Sequence, residues 1–263
     1  MTSNDPIATM NNGETPRSDA IRLNRYLAQC GLGARRKCDE LICSGHVYVN
    51  GSKVTNLATR VSPSDAVAYC GRSLKPVRHL EYIAFHKPAS VMVTRQDPEG
   101  RPTVYDAMRD VGVTADHLNY VGRLDCNSEG LLLFTNDGSL IHALTHPRYN
   151  IKKVYHVMLD RALTREDQDR LGTGIESEGQ VLHAGEVRTV PSGKFEYEVD
   201  LYEGKNRQLR RMFEKLDYKI MRLIRIRFAS VRLADLRPGA VRPLTSREIA
   251  ALKSAGYPEK RFP

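Results

Sequence analysis

The sequence predicts an α+β protein in two parts, a small helix–helix–hairpin module followed by a larger domain built on a largely antiparallel mixed sheet. Three observations predict it. Strand-like and short helical apolar patterns alternate through the second part of the chain. A stretch containing proline and basic residues, Gly71 to His79, separates two regions of different texture. The positive charge is confined to two segments: residues 20–70 carry a net +4 and residues 203–232 a net +7, while the rest of the chain sums to −2. A length of 263 residues suits one large domain or two smaller ones, so the division 1–20 (polar tail), 21–70 (module), 71–79 (linker), 80–256 (main domain) and 257–263 (tail) is reasonable in size.

In order along the chain, residues 1–20 have neither a basic stretch nor an apolar run and read as a disordered tail, not a signal peptide. The module follows as a helix from Leu23 to Gln29, a break at Gly31-Leu32-Gly33, a second helix from Arg35 to Ser44, and the strand Val47-Tyr48-Val49 turning at Asn50-Gly51. Asn-Gly suits the left-handed angles of a type I′ hairpin turn. Arg35, Arg36 and Lys37 place three cations at a helix N-terminus, where the macrodipole disfavours them unless a polyanion is bound. The main domain then offers a strand Tyr82–His86, a helix from about Thr103, a strand Leu131–Thr135 and a helix Leu140–Leu144. Strands Val154–Leu159, Gln180–Val190 and Phe195–Tyr202 come next. Asn206 is placed to cap a helix whose Leu209, Met212, Phe213 and Leu216 follow i, i+3, i+4, i+7, and Thr245 with Glu248 forms a capping box for the last helix. Ile224, Ile226 and Phe228 alternate with Arg225 and Arg227, the period of a half-buried strand with a basic face.

Composition narrows the function. Forty Lys+Arg against 31 Asp+Glu give a net charge of +9 and a pI near 9.4, so an acidic partner such as nucleic acid is the first expectation. The densest apolar run, Leu131 to Phe134, is far short of the roughly 20 residues a membrane helix needs. A soluble, cytoplasmic monomer is expected, with no membrane partner. Five cysteines (Cys30, Cys38, Cys43, Cys70, Cys126) are an odd number without CxxC spacing, which argues against a disulfide framework or a zinc ribbon. His142 and His146 are four apart but have no Glu beside the first, so no metal site is expected. Neither GxGxxG nor GxxxxGK[ST] occurs, and no nucleotide cradle is expected.

The chemistry gathers at Gly122-Arg123-Leu124-Asp125, a polar loop that runs through Cys126-Asn127-Ser128-Glu129-Gly130 into a buried strand. A carboxylate held there beside an arginine stays ionised and is able to serve as nucleophile or base, although Arg-Leu-Asp alone fits a surface ion pair as well. The longer string VGRLDCNSEGLLLFTNDG resembles the active-site motif of the RsuA-like ribosomal RNA pseudouridine synthases. The stretch RLNRYLAQCGLGARRKCDELICSGHVYVNGSKV resembles the S4 RNA-binding module that this branch carries, with Ala34 where the family shows Ser.

Three further motifs support the resemblance in order. His86-Lys87-Pro88 is similar to the family's Lys-Pro strand end, with Ser90 at its usual glycine; Lys153-Val154-Tyr155 is similar to its Lys-x-Tyr element; EGKNRQLRRMF is followed by Arg222-Leu223-Ile224-Arg225. The resemblance implies a pseudouridine-synthase catalytic domain in which Asp125 is the catalytic carboxylate and Arg123 fills the gap left by a flipped base. It further implies Tyr155 as the stacking ring, Arg210 as the partner of the aspartate and Leu223 as an aliphatic wall, with Ile224 an alternative. Arg22, Arg35, Arg36, Lys37, Lys87, Lys205, Arg207 and Arg225 are the expected RNA contacts. The implied reaction isomerises a uridine of ribosomal RNA, more readily assigned to the large subunit than the small, and needs no cofactor or metal. Whether Asp125 attacks the sugar or the base, or removes a sugar proton, is not decided by the sequence. A non-catalytic RNA binder and a base-excising hydrolase are the competing readings.

Overall fold

The structure, a computed structural model, describes residues 20–76, 79–191 and 193–256, so the expected tails fall outside the described residues apart from Ala20. The chain forms two compact units, Met1–Arg78 and His79–Pro263.

In the first unit helices α1 (Leu23–Gln29) and α2 (Arg35–Cys43) join six short strands: β1 (Ile21–Arg22), β2 (Val47–Val49), β3 (Ser52–Lys53), β4 (Arg60–Val61), β5 (Val67–Tyr69) and β6 (Arg72–Leu74). β1 pairs with β4, and a four-stranded sheet runs β3-β2-β5-β6. Leu23, Leu27, Cys38, Ile42, Val47 and Val67 form its core. The break between the helices is where the chain takes φ of +82° at Gly31 and +121° at Gly33, angles that a Cβ would oppose. Asn50 and Gly51, at φ +51° and +80°, make the expected hairpin turn. β6 pairs with β5 through Arg72–Leu74, so the first compact unit runs on past residue 70. Only hydrogen bonding across the sheet reveals that strand, since Arg-Ser-Leu has no strand pattern of its own.

The second unit contains β7 (Tyr82–Lys87), α3 (Val104–Arg109), β8 (Asn119–Val121), β9 (Glu129–Thr135), α4 (Gly138–Thr145), β10 (Lys153–Leu159), α5 (Arg165–Thr173), β11 (Ile175–Ser177) and β12 (Gln180–Leu182). These are followed by β13 (Val187–Thr189), β14 (Glu196–Leu201), α6 (Gln208–Lys215), β15 (Ile220–Phe228), β16 (Val231–Arg232), β17 (Val241–Pro243) and α7 (Ser246–Gly256). Among the described residues its main sheet has nine strands in the order β13-β14-β10-β15-β9-β7-β17, with β16 on β15 and β8 on β9. Every pairing is antiparallel except β9 with β15, which is parallel.

Three apolar clusters fix the layers. α6 lays Leu209, Met212, Phe213 and Leu216 against Val157, Val199, Leu201 and Leu223 of the sheet. α4 and α7 bury Leu140, Leu144 and Leu252 against Ala84, Leu131 and Leu133. α3 packs Val104 and Met108 on Phe85, Leu132 and Phe134. Each such side chain contributes about 1.5–3 kcal/mol when fully buried, so α6 with its four apolar anchors is held firmly beside the sheet.

Two expectations need correction. Gln180–Val190 is not one strand: β12 pairs with β11 in a separate two-stranded sheet while β13 pairs with β14 in the main one, with residues 183–186 between them outside either strand. Nor does Asn206 cap α6, whose N-cap is Arg207 in a left-handed conformation without a side-chain cap. The Thr245–Glu248 box forms as expected, with Thr245 accepting from the Glu248 amide at 3.2 Å and Glu248 accepting from the Thr245 amide at 2.9 Å.

Candidate active site

Asp125 lies on the tight connection from β8 to β9, where the Ser128 amide donates to the Asp125 carbonyl at 3.1 Å. The turn ends at Gly130, whose φ of +104° and missing Cβ let β9 run against β15; a Cβ there would sit 2.4 Å from the Arg225 carbonyl oxygen. The sequence therefore places the carboxylate on a short turn anchored to the centre of the sheet.

Three cationic side chains grip the carbonyls around this turn. Lys87 Nζ donates to the carbonyl of Cys126 at 2.8 Å and to that of Pro88 at 2.7 Å. Arg210 Nη2 donates to the Asn127 carbonyl at 2.9 Å. Arg225 donates from Nε to Leu131 at 2.7 Å and from Nη1 to Arg123 at 3.4 Å. Backbone groups that would otherwise be unsatisfied are thus bonded to charged donors, and positive charge is concentrated next to Asp125. Burial pushes Lys87 down to about 8, partly opposed by Cys126, Glu129 and Asp125. Burial likewise lowers Arg210, while Asp125 acts to raise it. Glu129, at the start of β9, is held below its ordinary range by a two-point ion pair with Arg222 at 2.9 Å.

A cleft of about 610 Å³ opens over the turn and is lined by Arg123, Asp125, Tyr155, Lys205, Arg207 and Lys153, among others. A smaller hollow of about 80 Å³ adjoins it, where Arg123, Asp125 and Tyr155 meet Arg210 and Leu223. All five residues expected to handle the base are therefore brought to one place. Leu223 rather than Ile224 lines the hollow; Ile224 packs into the cluster beneath α4 and α7. Arg210 forms no ion pair with Asp125 within the 4 Å that defines one, and its hydrogen bond goes to the turn's backbone instead.

The expected RNA contacts divide. Arg22, Arg35, Arg36 and Lys37 are exposed on the first unit, and the α2 N-terminus has no side-chain cap and no acidic residue in its first turn. Arg207 is exposed at the cleft, and Lys205 reaches Glu203 at 3.2 Å there. Lys87 and Arg225 do not fit the expectation. Lys87 is 0% and Arg225 2% exposed and both donate to protein carbonyls, so they brace the turn; Arg225 also lines the cleft, and its Nη2 has no hydrogen-bond partner. The reason in Arg225 is a bulge: Tyr155 opposes Arg225 while Val154 opposes Arg227, leaving Ile226 as the extra residue. A bulge reverses the side-chain alternation, so Arg225 and Arg227 face opposite ways and the expected basic strand face is split.

Lys153 was missed as a site residue. Its ammonium lines the cleft, donates to the Ile151 carbonyl at 2.9 Å, and is pushed down to about 8 by burial and by Arg225. The available signal was its position two before Tyr155 on a strand, which puts both on one face. Ser90 takes φ +61°, a conformation costing a non-glycine residue about 1–2 kcal/mol. Among the described residues no group of three or more His, Cys, Asp or Glu is placed to hold a metal, and no helix is long and apolar enough to cross a membrane.

Comparison with known proteins agrees with this geometry. Residues 81–215 match the family model described as RNA pseudouridylate synthase, and residues 21–67 match the S4 domain. An uncharacterized RNA pseudouridine synthase of Aquifex aeolicus is 35% identical over 92% of this chain and 98% of its own length. The ribosomal large subunit pseudouridine synthase B of Bacillus subtilis is 33% identical over 89% of this chain and 96% of its own, and that of Pseudomonas aeruginosa is 36% identical over 88% and 61%. A crystal structure of a pseudouridylate synthase superposes with a TM-score of 0.63 at 26% identity, covering 88% of this chain and 99% of that one. The chain accordingly belongs to the RNA pseudouridine synthases, isomerases that act on RNA, and carries an S4 domain ahead of the synthase domain.

Proposed function

We propose that the protein isomerises a specific uridine of ribosomal RNA, in the large subunit, with Asp125 as the catalytic carboxylate. The observation that carries this reading is the meeting of Asp125, Arg123, Tyr155, Arg210 and Leu223 around one hollow at the end of the main cleft. The large-subunit assignment is supported by the relatives from B. subtilis and P. aeruginosa, whose names specify that substrate.

The reaction breaks the N1–C1′ bond of uridine, turns the uracil, joins C5 to C1′ and releases the C5 proton while N1 takes up a proton, so atoms balance without a redox partner. The uridine first leaves its stack, at a cost of a few kcal/mol. Arg123, exposed at the mouth, takes the place the base vacates, and Tyr155, half-buried on β10, stacks on the extruded ring. Leu223 closes the apolar side. Asp125 meets the sugar–base unit, with the cations of Arg210 and Lys87 close to it. The hydrogen bonds of those two cations to the turn fix where the carboxylate sits before substrate arrives, which is worth more in the transition state than in the ground state. Arg35, Arg36, Lys37, Arg207 and Lys205 supply phosphate contacts.

The test is incubation with large-subunit ribosomal RNA tritiated at uridine C5. Tritium is expected in water with no free uracil, and carbodiimide-stop primer extension then locates the new pseudouridine. Free uracil would identify a hydrolase; tight binding without tritium release by folded protein would identify a pure binder; a stop in small-subunit RNA would reassign the substrate.

A further inference from the structure

The strands that carry the cleft also border a second groove on their other side. Lys153 and Tyr155 of β10 line the cleft, whereas Lys152 and Val154, pointing the other way, line a separate groove of about 510 Å³. The bulge at Ile226 sends Arg227 into that groove, beside Val154. Its cross-strand neighbour is Arg232 of β16, so two guanidinium side chains stand directly opposite one another. Like charges in such pairs repel, and an opposing carboxylate is the usual relief.

None is supplied. Neither Arg227 nor Arg232 has a carboxylate within ion-pair distance among the described residues, and the side-chain hydrogen bond of Arg227 goes to the Ala229 carbonyl at 2.8 Å. The acids on this face are spent on other cations. Asp200, with its side chain 1% exposed, is paired with both Lys152 and Arg188, the latter at 2.8 Å. Glu186 and Glu198 are held by Arg188 at 2.6 and 3.4 Å. A third arginine, Arg242, donates to the Arg232 carbonyl but is itself paired with Glu248 at 2.7 Å. With three carboxylates set against Lys152 and Arg188, the cluster including Arg227 and Arg232 has a net charge of +1, and Arg227 and Arg232, which have no carboxylate of their own, line the groove together with Glu198.

We propose that this groove is a second RNA-binding site, in which Arg227 and Arg232 take backbone phosphates of RNA lying outside the segment that enters the cleft. The proposal rests on the reading of the protein as an RNA-modifying enzyme. A phosphodiester strand fits because it presents single negative charges at regular spacing to paired cations, and the groove, shallow and open, suits a backbone rather than a flipped base. The site gives the enzyme a means of preferring a folded ribosomal RNA domain to an isolated hairpin.

The experiment compares a long large-subunit RNA transcript with a hairpin cut down to the modified stem, using the full-length protein. Arg227→Glu/Arg232→Glu is expected to raise KM and Kd for the long transcript about tenfold and to lower the slope of log affinity against log salt by about 1–2, as loss of two phosphate contacts requires. Turnover and KM on the hairpin stay at wild-type values. Arg227→Gln/Arg232→Gln gives a smaller loss of the same kind and checks that charge reversal has not damaged the fold. Equal losses on both RNAs, or unchanged affinity for the long transcript, would overturn the proposal; the latter would point instead to an acidic protein as the groove's partner. Because affinity is read separately from tritium release, a wild-type protein that binds RNA without modifying it would overturn the proposed function and leave the groove's test standing.

Discussion

Gly130→Ala tests the geometry that places the Asp125 turn. Gly130 is paired with Arg225 in the parallel contact between β9 and β15, and a Cβ there would lie 2.4 Å from the Arg225 carbonyl oxygen and 2.6 Å from its nitrogen. Ordinary contact begins at 3.4 Å, so one strand must retreat by about an ångström. An alanine at φ +104° also carries backbone strain of about 1–2 kcal/mol. Retreat of Arg225 draws its guanidinium away from the Leu131 and Arg123 carbonyls, and loss of a charged hydrogen bond costs about 1.5–3 kcal/mol. The expected destabilisation is about 3–5 kcal/mol, a large part of the 5–15 kcal/mol typical of a domain. The control is Gly138→Ala at the first position of α4, where a Cβ meets nothing within 4 Å; it is expected to gain about 0.4–1 kcal/mol. Urea unfolding by circular dichroism, with amide exchange of β9 and β15, measures both. If Gly130→Ala unfolds at the same urea concentration as Gly138→Ala, the close approach of the strands does not hold the turn.

The other expectations concern charge. Replacing Arg35, Arg36 and Lys37 together by alanine should weaken RNA binding and flatten its salt dependence while turnover at saturating RNA is retained, as a filter-binding salt titration would show. Lys153 loses its charge as pH rises through about 8, so RNA affinity should fall over that range, and Lys153→Arg, which stays charged, should flatten the profile; an identical fall in the variant would exclude Lys153 as its source. Arg210→Ala should lower the single-turnover rate by roughly 10²-fold with little change in Kd, because it removes both the grip on Asn127 and the charge facing Asp125. A normal rate at saturation would make Arg210 a phosphate contact only.

What could be read from the sequence depended on how local each cause was. The i, i+3, i+4, i+7 spacing of Leu209, Met212, Phe213 and Leu216 defines the buried face of α6, and Thr103 and Thr245 mark helix starts through caps that act within four residues. The meeting of Asp125 and Tyr155 was accessible because family motifs keep their order along the chain. Arg225 was misread because a one-residue bulge has no sequence pattern and reverses which way every later side chain points. Lys87 was misread for a related reason: what satisfies its ammonium is a backbone carbonyl 39 residues away, and carbonyls are the same in every residue. Asn206 lost the cap because the left-handed Arg207 starts the helix one residue later.

The most direct test of the account is the single-turnover release of tritium from C5-labelled RNA by Asp125→Asn beside the wild type. Asparagine keeps the size of the side chain but not its charge or basicity. Asp125→Asn is expected to keep wild-type RNA affinity and an unchanged fold with no detectable release of tritium. Release by Asp125→Asn at a rate near that of the wild type would contradict it, and the catalytic group would have to be another residue of the cleft.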